Sequence, residues 1–404
     1  MAVSSRSLCA SSRHSHVARS PWSARCSSSD SLHGVGESKL GGMRKGPDVV
    51  VVGAGIVGLS IAFHLVQRGA SVTVFDRAGI GAGASGVQPG GVRQQWGTRV
   101  NCLLARESME FYADVREQLS MRVDPAFRAC GYLFLAHSDR ALARMRENIT
   151  LQNELGIRSQ IVTPAEAAGL VPGLDVAGVA GAAWGPGDGY FDRPQSLVEA
   201  FGASADVQIA EVLEVRGEGA VRLATGGEPQ ADAVVVAAGV DTPRLLPELP
   251  IWPEKRFLFF SDPIRERLLD PLVVSPERRF AAKQLGDGRV LASDLGARAG
   301  EMDGGRANVR SAFEELLPQL VFVALPTLVE GVYDVTPDHQ AILGRVRDRV
   351  WVAAGFSGHG FMLAPAVGRI IAESVIAERD DAALGVLDAA RFSEGRLVPE
   401  PQIV

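Results

Sequence analysis

The stretch from Asp48 to Asp76 restricts the fold more tightly than any other part of this chain. Asp48–Val52 is a β-branched run of the kind buried on both faces in a parallel sheet. Gly53-Ala54-Gly55-Ile56-Val57-Gly58 follows at once. Ile56, Leu59, Phe63 and Val66 then recur at helical spacing, and Gly69 is a helix stop. A second β-rich run, Ser71–Phe75, ends on Asp76, 76 − 53 = 23 residues after Gly53. This is a dinucleotide-binding turn in its full context. Gly53 makes the turn, Gly55 lets a pyrophosphate approach the backbone, and Gly58 lets helix and strand pack closely. The helix N-terminus offers free N–H groups and a positive dipole end to the phosphates. Asp76 is placed to accept hydrogen bonds from the adenosine ribose. Residues 49–66 are apolar enough to invite a membrane reading, but Gly53, Gly55, Gly58, Ser60 and His64 argue against a spanning helix.

The turn alone does not choose between NAD and FAD. The segment 79–91 is a second glycine-rich loop with Ser85 inside it, which suits the longer, extended FAD. Gly90 and Gly91 lead directly into Val92-Arg93-Gln94-Gln95-Trp96, a cationic and aromatic cluster. Thr98 is expected to N-cap a helix with Val100, Leu103, Leu104, Phe111, Val115 and Leu119 on one face. Near the other end, Leu328–Asp338 reads as a strand ending in a turn and Val350–Ala354 as a strand. Gly355-Phe356-Ser357-Gly358-His359-Gly360 follows, and Phe361, Val367, Ile370, Ile371 and Val375 continue as a helix. That helix N-terminus could face the N1–C2=O edge of a flavin and stabilise its reduced, negative form.

Composition narrows the field. With 404 residues, two domains or one large α/β unit are expected. The net charge is 41 − 47 = −6, and no basic stripe runs through the body, so nucleic acid is not an expected partner. Cys9, Cys26, Cys102 and Cys130 form no CxxC pair, which excludes the usual structural-zinc and thioredoxin patterns, and no metal is expected. Residues 1–29 lack Asp and Glu and carry Arg6, Arg13, Arg19, Arg25 and eleven serines. Residues 1–46 are therefore expected to be a disordered tail or a transit peptide, with Met43 as a natural start. No secretory apolar segment is visible. A cytoplasmic protein is expected, or a mitochondrial-matrix one if the leader is genuine.

Four segments in order, GAGIVGLSIAFHLVQRG, ASGVQPGGVRQQW, EGVYDVTPDHQAILG and GFSGHGFMLAPAVGRIIAE, carry a resemblance. From about Pro47 to Glu378 the chain resembles the D-amino-acid-oxidase/sarcosine-oxidase family of FAD enzymes. The RQQW and GHGFM segments look most like the sarcosine-oxidase beta-type subunits and the beta subunit of dye-linked L-proline dehydrogenase. The resemblance implies an α/β (α+β) fold, with a Rossmann-type FAD-binding domain and an inserted antiparallel or mixed β-sheet substrate domain. FAD segments are expected at 47–128, 188–245 and 328–382, substrate segments at 129–187 and 246–327, and a loosely packed tail at 383–404. The cofactor set is Gly53, Ala54, Gly55, Ile56, Gly58, Asp76, Arg77, Ser85, Gly90, Gly91, Val212, Ala238, Gly239, Gly331, Gly355, Phe356, Ser357, Gly358, His359, Gly360 and Phe361. Two departures stand out. Gly331 occupies the place where monomeric sarcosine oxidases carry the cysteine that holds flavin covalently, so noncovalent FAD is expected. Met362 stands where those enzymes have a carboxylate-binding lysine.

The middle of the chain reads as a strand-rich layer. Gly131–Ala136, Gln208–Val215, Ala233–Ala238, Arg256–Ser261, Arg279–Gln284 and Arg289–Ser293 are strand-like, and Gly286-Asp287-Gly288 is a hairpin turn. Ser138–Leu155 is a helix stopped by Gly156, and Thr163-Pro164-Ala165-Glu166 is a capping box.

The family implies oxidation of a C–N bond in a small amino acid, often a secondary amine such as sarcosine or proline, or glycine. Arg93 is the candidate anchor for the substrate carboxylate, since arginine pairs bidentately. His359 is the candidate for deprotonating the amine, or else a structural histidine. Tyr333 and Met362 are candidate pocket residues, Lys283 is a substrate-layer residue with an open role, and Lys283 and Arg256 are the next candidates for the carboxylate after Arg93. The electrons would pass to O2 or to an acceptor protein or dye, and a hetero-oligomer with other subunits is conceivable for such a chain. A non-catalytic FAD-binding assembly protein and a 2-hydroxy-acid dehydrogenase are the alternatives.

Overall fold

The computed structural model describes residues 46–296, 302–377, 379 and 381–402. The expected tail or transit peptide falls almost wholly outside them. Among the described residues, a six-stranded sheet runs Ile342–Arg347, Val350–Ala354, Ala233–Val236, Asp48–Val52, Ser71–Asp76, Asp206–Ile209. Its inner pairings are parallel, and the first two strands form an antiparallel edge. Val49–Val52 and Val234–Val236 are buried, as strands covered on both faces require. This is the doubly wound dinucleotide fold that the first motif dictates.

A second, eight-stranded sheet runs Thr327–Val335, Trp252–Phe260, Val290–Asp294, Phe280–Gln284, Leu272–Ser275, Tyr132–Ala136, Gly181–Gly185, Gln160–Val162. It is antiparallel except where Leu272–Val274 lies parallel to Tyr132–Phe134. The Thr327–Val335 strand, grouped by sequence with the FAD segments, is paired along its whole length with Trp252–Phe260 of this sheet. It therefore forms the seam where the two layers meet.

The Ile56–Gln67 helix packs against Gly360–Ala377, joining the first and second glycine junctions across 300 residues of chain. Ser60 Oγ donates to the Ala364 carbonyl at 2.8 Å. Pro365 lies inside the Gly360–Ala377 helix and has no N–H for the Phe361 carbonyl one turn back. The Tyr112 hydroxyl donates to that carbonyl instead, at 2.6 Å, so the buried group is satisfied. This helix is long and apolar enough to cross a membrane by composition, but most of it is buried in the core.

Four local expectations need correction. Gln208–Val215 is two strands, Asp206–Ile209 and Val212–Val215, in different sheets. Thr98 is the N-cap of Arg99–Ala113 by position, but its hydroxyl donates to Glu400 at 2.7 Å and caps nothing. That helix ends at Ala113, and Leu103 is exposed on it. The C-terminal segment is not loosely packed. Leu384 and Leu387 enter the core, and Arg391 is fully buried against an equally buried Asp338. Glu400, only 2% exposed, accepts from Gly97 N–H, the Thr98 hydroxyl and the Asn101 amide at 2.8, 2.7 and 2.9 Å. Polar composition had disguised a strap held by buried hydrogen bonds.

Candidate active site

A cavity of about 330 Å³ is lined from both sheets. At one end is Asp76. Its Oδ2 accepts from Ala54 N–H at 2.8 Å, and its Oδ1 from Ala78 and Gly79 N–H at 2.8 and 2.9 Å. These bonds fix the carboxylate at the end of its strand while it still faces the cavity. Val212 stands beside it, and Arg77 and Asp241 form an ion pair at 2.6 Å. The Ile56 N–H, first in its helix, donates to Ser85 Oγ at 2.9 Å, which places the second glycine loop against the helix N-terminus. A Cβ on Gly53 would collide with the Ala237 carbonyl, and one on Gly58 with the Gly53 carbonyl. Both positions thus need glycine, Gly53 also for its φ of +111°. A bare backbone cradle, a helix N-terminus and a terminal acid fit the pyrophosphate and ribose of FAD.

At the other end the cavity meets the second glycine junction. Asp334 stands there, partly buried. Its Oδ2 accepts from Gly355 N–H at 2.7 Å, and its carbonyl accepts from Ser357 N–H at 3.0 Å. Burial pushes the Asp334 carboxyl up to about 6, opposed by the N–H groups of Gly355, Phe356 and Ser357. Asp334 thereby holds the loop that delivers Gly358, Gly360 and Phe361 to the cavity wall. Gly358, at φ +91°, lies against the Tyr333 ring.

Of the residues expected from sequence, Gly53, Gly55, Ile56, Asp76, Arg77, Ser85, Val212, Ala238, Gly239, Gly331, Tyr333, Phe356, Gly358, Gly360 and Phe361 line this cavity. Ala54, Gly58, Gly90, Gly91, Gly355 and Ser357 lie behind the wall; Ala54 and Gly355 give their N–H groups to the two aspartates.

The expected catalytic pair is not brought to the cavity. Arg93 is fully buried, with its guanidinium on the carbonyls of Gln95 and, at 2.7 Å, Gln402, and 3.9 Å over the Trp96 ring. Its Nη2 is taken up by the C-terminal strap and its Nη1 by the neighbouring Gln95, while Nε has no partner among the described residues. His359 is buried edge-on against Trp96 at 4.6 Å, and its Nε2 has no partner among the described residues. Burial first, then the charge of Arg93, holds its pKa well below 6.5, so the ring is neutral at physiological pH. Lys283 also sits behind the wall. Its ammonium donates to the Pro89 carbonyl and lies 3.9 Å over Tyr190, and burial lowers it to about 7. Met362 lies near Gly91, off the wall.

The charged lining residues Glu211, Asp241, Arg244 and Asp334 were not expected from the sequence. Arg256, the fallback candidate after Arg93, does line the cavity: Arg256 and Leu258 alternate on one face of a strand and both face it.

Residues 48–374 match the model of DAO, the FAD dependent oxidoreductase family. The chain belongs to this family. It is an FAD-dependent oxidoreductase with the mixed two-layer fold of its relatives. The FAD-dependent oxidoreductase domain-containing protein 1 of Bos taurus is 30% identical, across 81% of this chain and 81% of that protein. Glycine oxidase of Geobacillus kaustophilus is 28% identical over 86% of this chain and 96% of its own. Among solved structures, L-proline dehydrogenase from P. horikoshii superposes with a TM-score of 0.80, at 29% identity, covering 88% of this chain and all of that one.

Proposed function

We propose that this oxidoreductase oxidises the C–N bond of a small amino acid such as sarcosine, proline or glycine, a secondary amine foremost. The observation that carries the reading is one continuous cavity from the Asp76 fingerprint to Tyr333 and the second glycine junction. Relatives named for glycine oxidation and proline dehydrogenation support the substrate class.

Gly53, Gly55, Ser85 and Asp76 would hold the dinucleotide, and the Gly358–Phe361 turn with Gly331 and Tyr333 would border the flavin ring. Bound FAD supplies a two-electron acceptor for the hydride removed from the carbon next to the amine. The chain's own work is to orient that carbon, to keep the site dry, and to receive an amine that is already neutral. His359 packs on Trp96 off the cavity wall and so does not reach the amine. Gly331 offers no thiol, so FAD is held noncovalently. The oxidant that reoxidises the flavin is O2 or an acceptor protein.

The test is anaerobic mixing of the holoenzyme with sarcosine, L-proline, glycine and a set of 2-hydroxy acids. Bleaching by an amino acid supports the reading. Bleaching by 2-hydroxy acids alone, or by nothing, overturns it.

A further inference from the structure

A substrate carboxylate in a largely dry site needs a cation, and the residues that resemblance nominates for it are unsuited. Arg93 is fully buried off the cavity wall with Nη1 and Nη2 on the Gln95 and Gln402 carbonyls, Met362 is neutral, and the Lys283 ammonium is turned to Pro89. Three arginines do line the cavity: Arg77, Arg244 and Arg256. Arg77 and Arg244 are about half exposed, at 51% and 54%, and pair with Asp241 and Glu211 near the ribose-binding Asp76. Arg256 is different. Its side chain is 14% exposed, it stands on the strand opposite Gly331 in register, and its guanidinium lies 5.2 Å over Tyr333. Only Nη1 is engaged, by Glu254 at 2.7 Å and the Lys255 carbonyl at 3.1 Å; Nε and Nη2 make no hydrogen bond among the described residues.

We infer that Arg256 binds the substrate carboxylate, with Glu254 orienting the guanidinium and the Tyr333 ring fixing its plane. The inference rests on the amino-acid reading above and specifies which end of the substrate faces which wall. Two free N–H donors at low exposure match a carboxylate fork. The Glu254 pairing steadies a long side chain before ligand arrives, which lowers the ordering cost of binding. An arginine at this point favours amines that carry a carboxylate over amines without one.

The experiment titrates the holoenzyme with sodium pyrrole-2-carboxylate, a non-oxidised carboxylate, and with the uncharged pyrrole-2-carboxamide. Binding is read from the flavin absorption difference spectrum. Arg256→Met should raise the carboxylate Kd by about 30-fold or more, and Arg256→Lys by less. The amide should bind weakly and equally to all three proteins, and FAD content should be unchanged. An unchanged carboxylate Kd in Arg256→Met overturns the assignment, as does loss of FAD, which would make Arg256 a cofactor ligand. If Arg256→Met still oxidises the amino acid with unaltered kcat/KM, the inference fails and the amine-oxidation reading stands. If the carboxylate binds through Arg256 but no amino acid bleaches the flavin, the anion site stands and that reading fails.

Discussion

Replacing Arg391 by methionine removes the partner of a carboxylate that has no access to water. Asp338 and Arg391 are both 0% exposed. Arg391 Nε and Nη2 reach the two Asp338 oxygens at 2.9 and 3.0 Å, and its other contacts are the Leu387, Asp388 and Gln340 carbonyls. Burial alone would raise the Asp338 carboxyl, but the Arg391 hydrogen bonds and charge, with help from Val398 and Gln340 N–H, hold it below the usual carboxylate range. Methionine fills a similar volume and leaves the charge unpaired, at a cost of about 3–5 kcal/mol. The sign with pH follows. In the native protein the Asp338 pKa is depressed, so its contribution is present above the unfolded value and is lost as pH falls through the folded one. In Arg391→Met the pKa is raised, so the penalty is full at alkaline pH and shrinks on acidification. Urea unfolding of the wild type, Arg391→Met, Asp338→Asn and the double variant at pH 8 and pH 5.5 reads all of this. The double variant should recover most of the loss. A loss under about 1 kcal/mol at pH 8, or a double variant no better than Arg391→Met, would refute the reasoning.

Three further outcomes are expected. Gly58→Val should abolish FAD loading, because the side chain meets the Gly53 carbonyl; a normal flavin-to-protein absorbance ratio would contradict it. Arg93→Lys should lower the unfolding midpoint by loosening the strap while leaving the pyrrole-2-carboxylate Kd of the folded holoenzyme unchanged, since the Arg93 donors bond Gln95 and Gln402. His64 is held at about 4 by burial and then by Arg68 and Arg369, so the unfolded chain binds the extra proton and acid destabilises the fold. Lowering pH from 7.5 to 5 should therefore cost the wild type about 2 kcal/mol more than His64→Leu, and equal slopes for the two proteins would count against the buried, neutral ring.

The dinucleotide half of the site was legible because its constraints are local. A glycine turn, a helix start and an acid 23 residues on are adjacent in sequence, and backbone sterics at Gly53 and Gly58 leave no substitute. The second glycine junction was legible for the same reason. The substrate end was not. Arg93 and His359 occupy the right segments, yet their donors and rings are set by Gln402 and Trp96, one of them in a chain end whose composition looks like a tail. Arg256 could be named from sequence only as a fallback, since its place beside Gly331 depends on a register between residues about 75 apart in sequence. Lys283 showed its burial only once the eight-stranded sheet had formed around it.

The most direct test of the whole account is anaerobic single turnover of the purified holoenzyme with a secondary amino acid, following flavin absorbance and the carbonyl product together. Noncovalent FAD should be bleached by the amino acid, with one imine, or the carbonyl formed by its hydrolysis, for each flavin reduced. Protein that purifies without FAD, or flavin that stays oxidised with every amino acid while a 2-hydroxy acid reduces it, would contradict it.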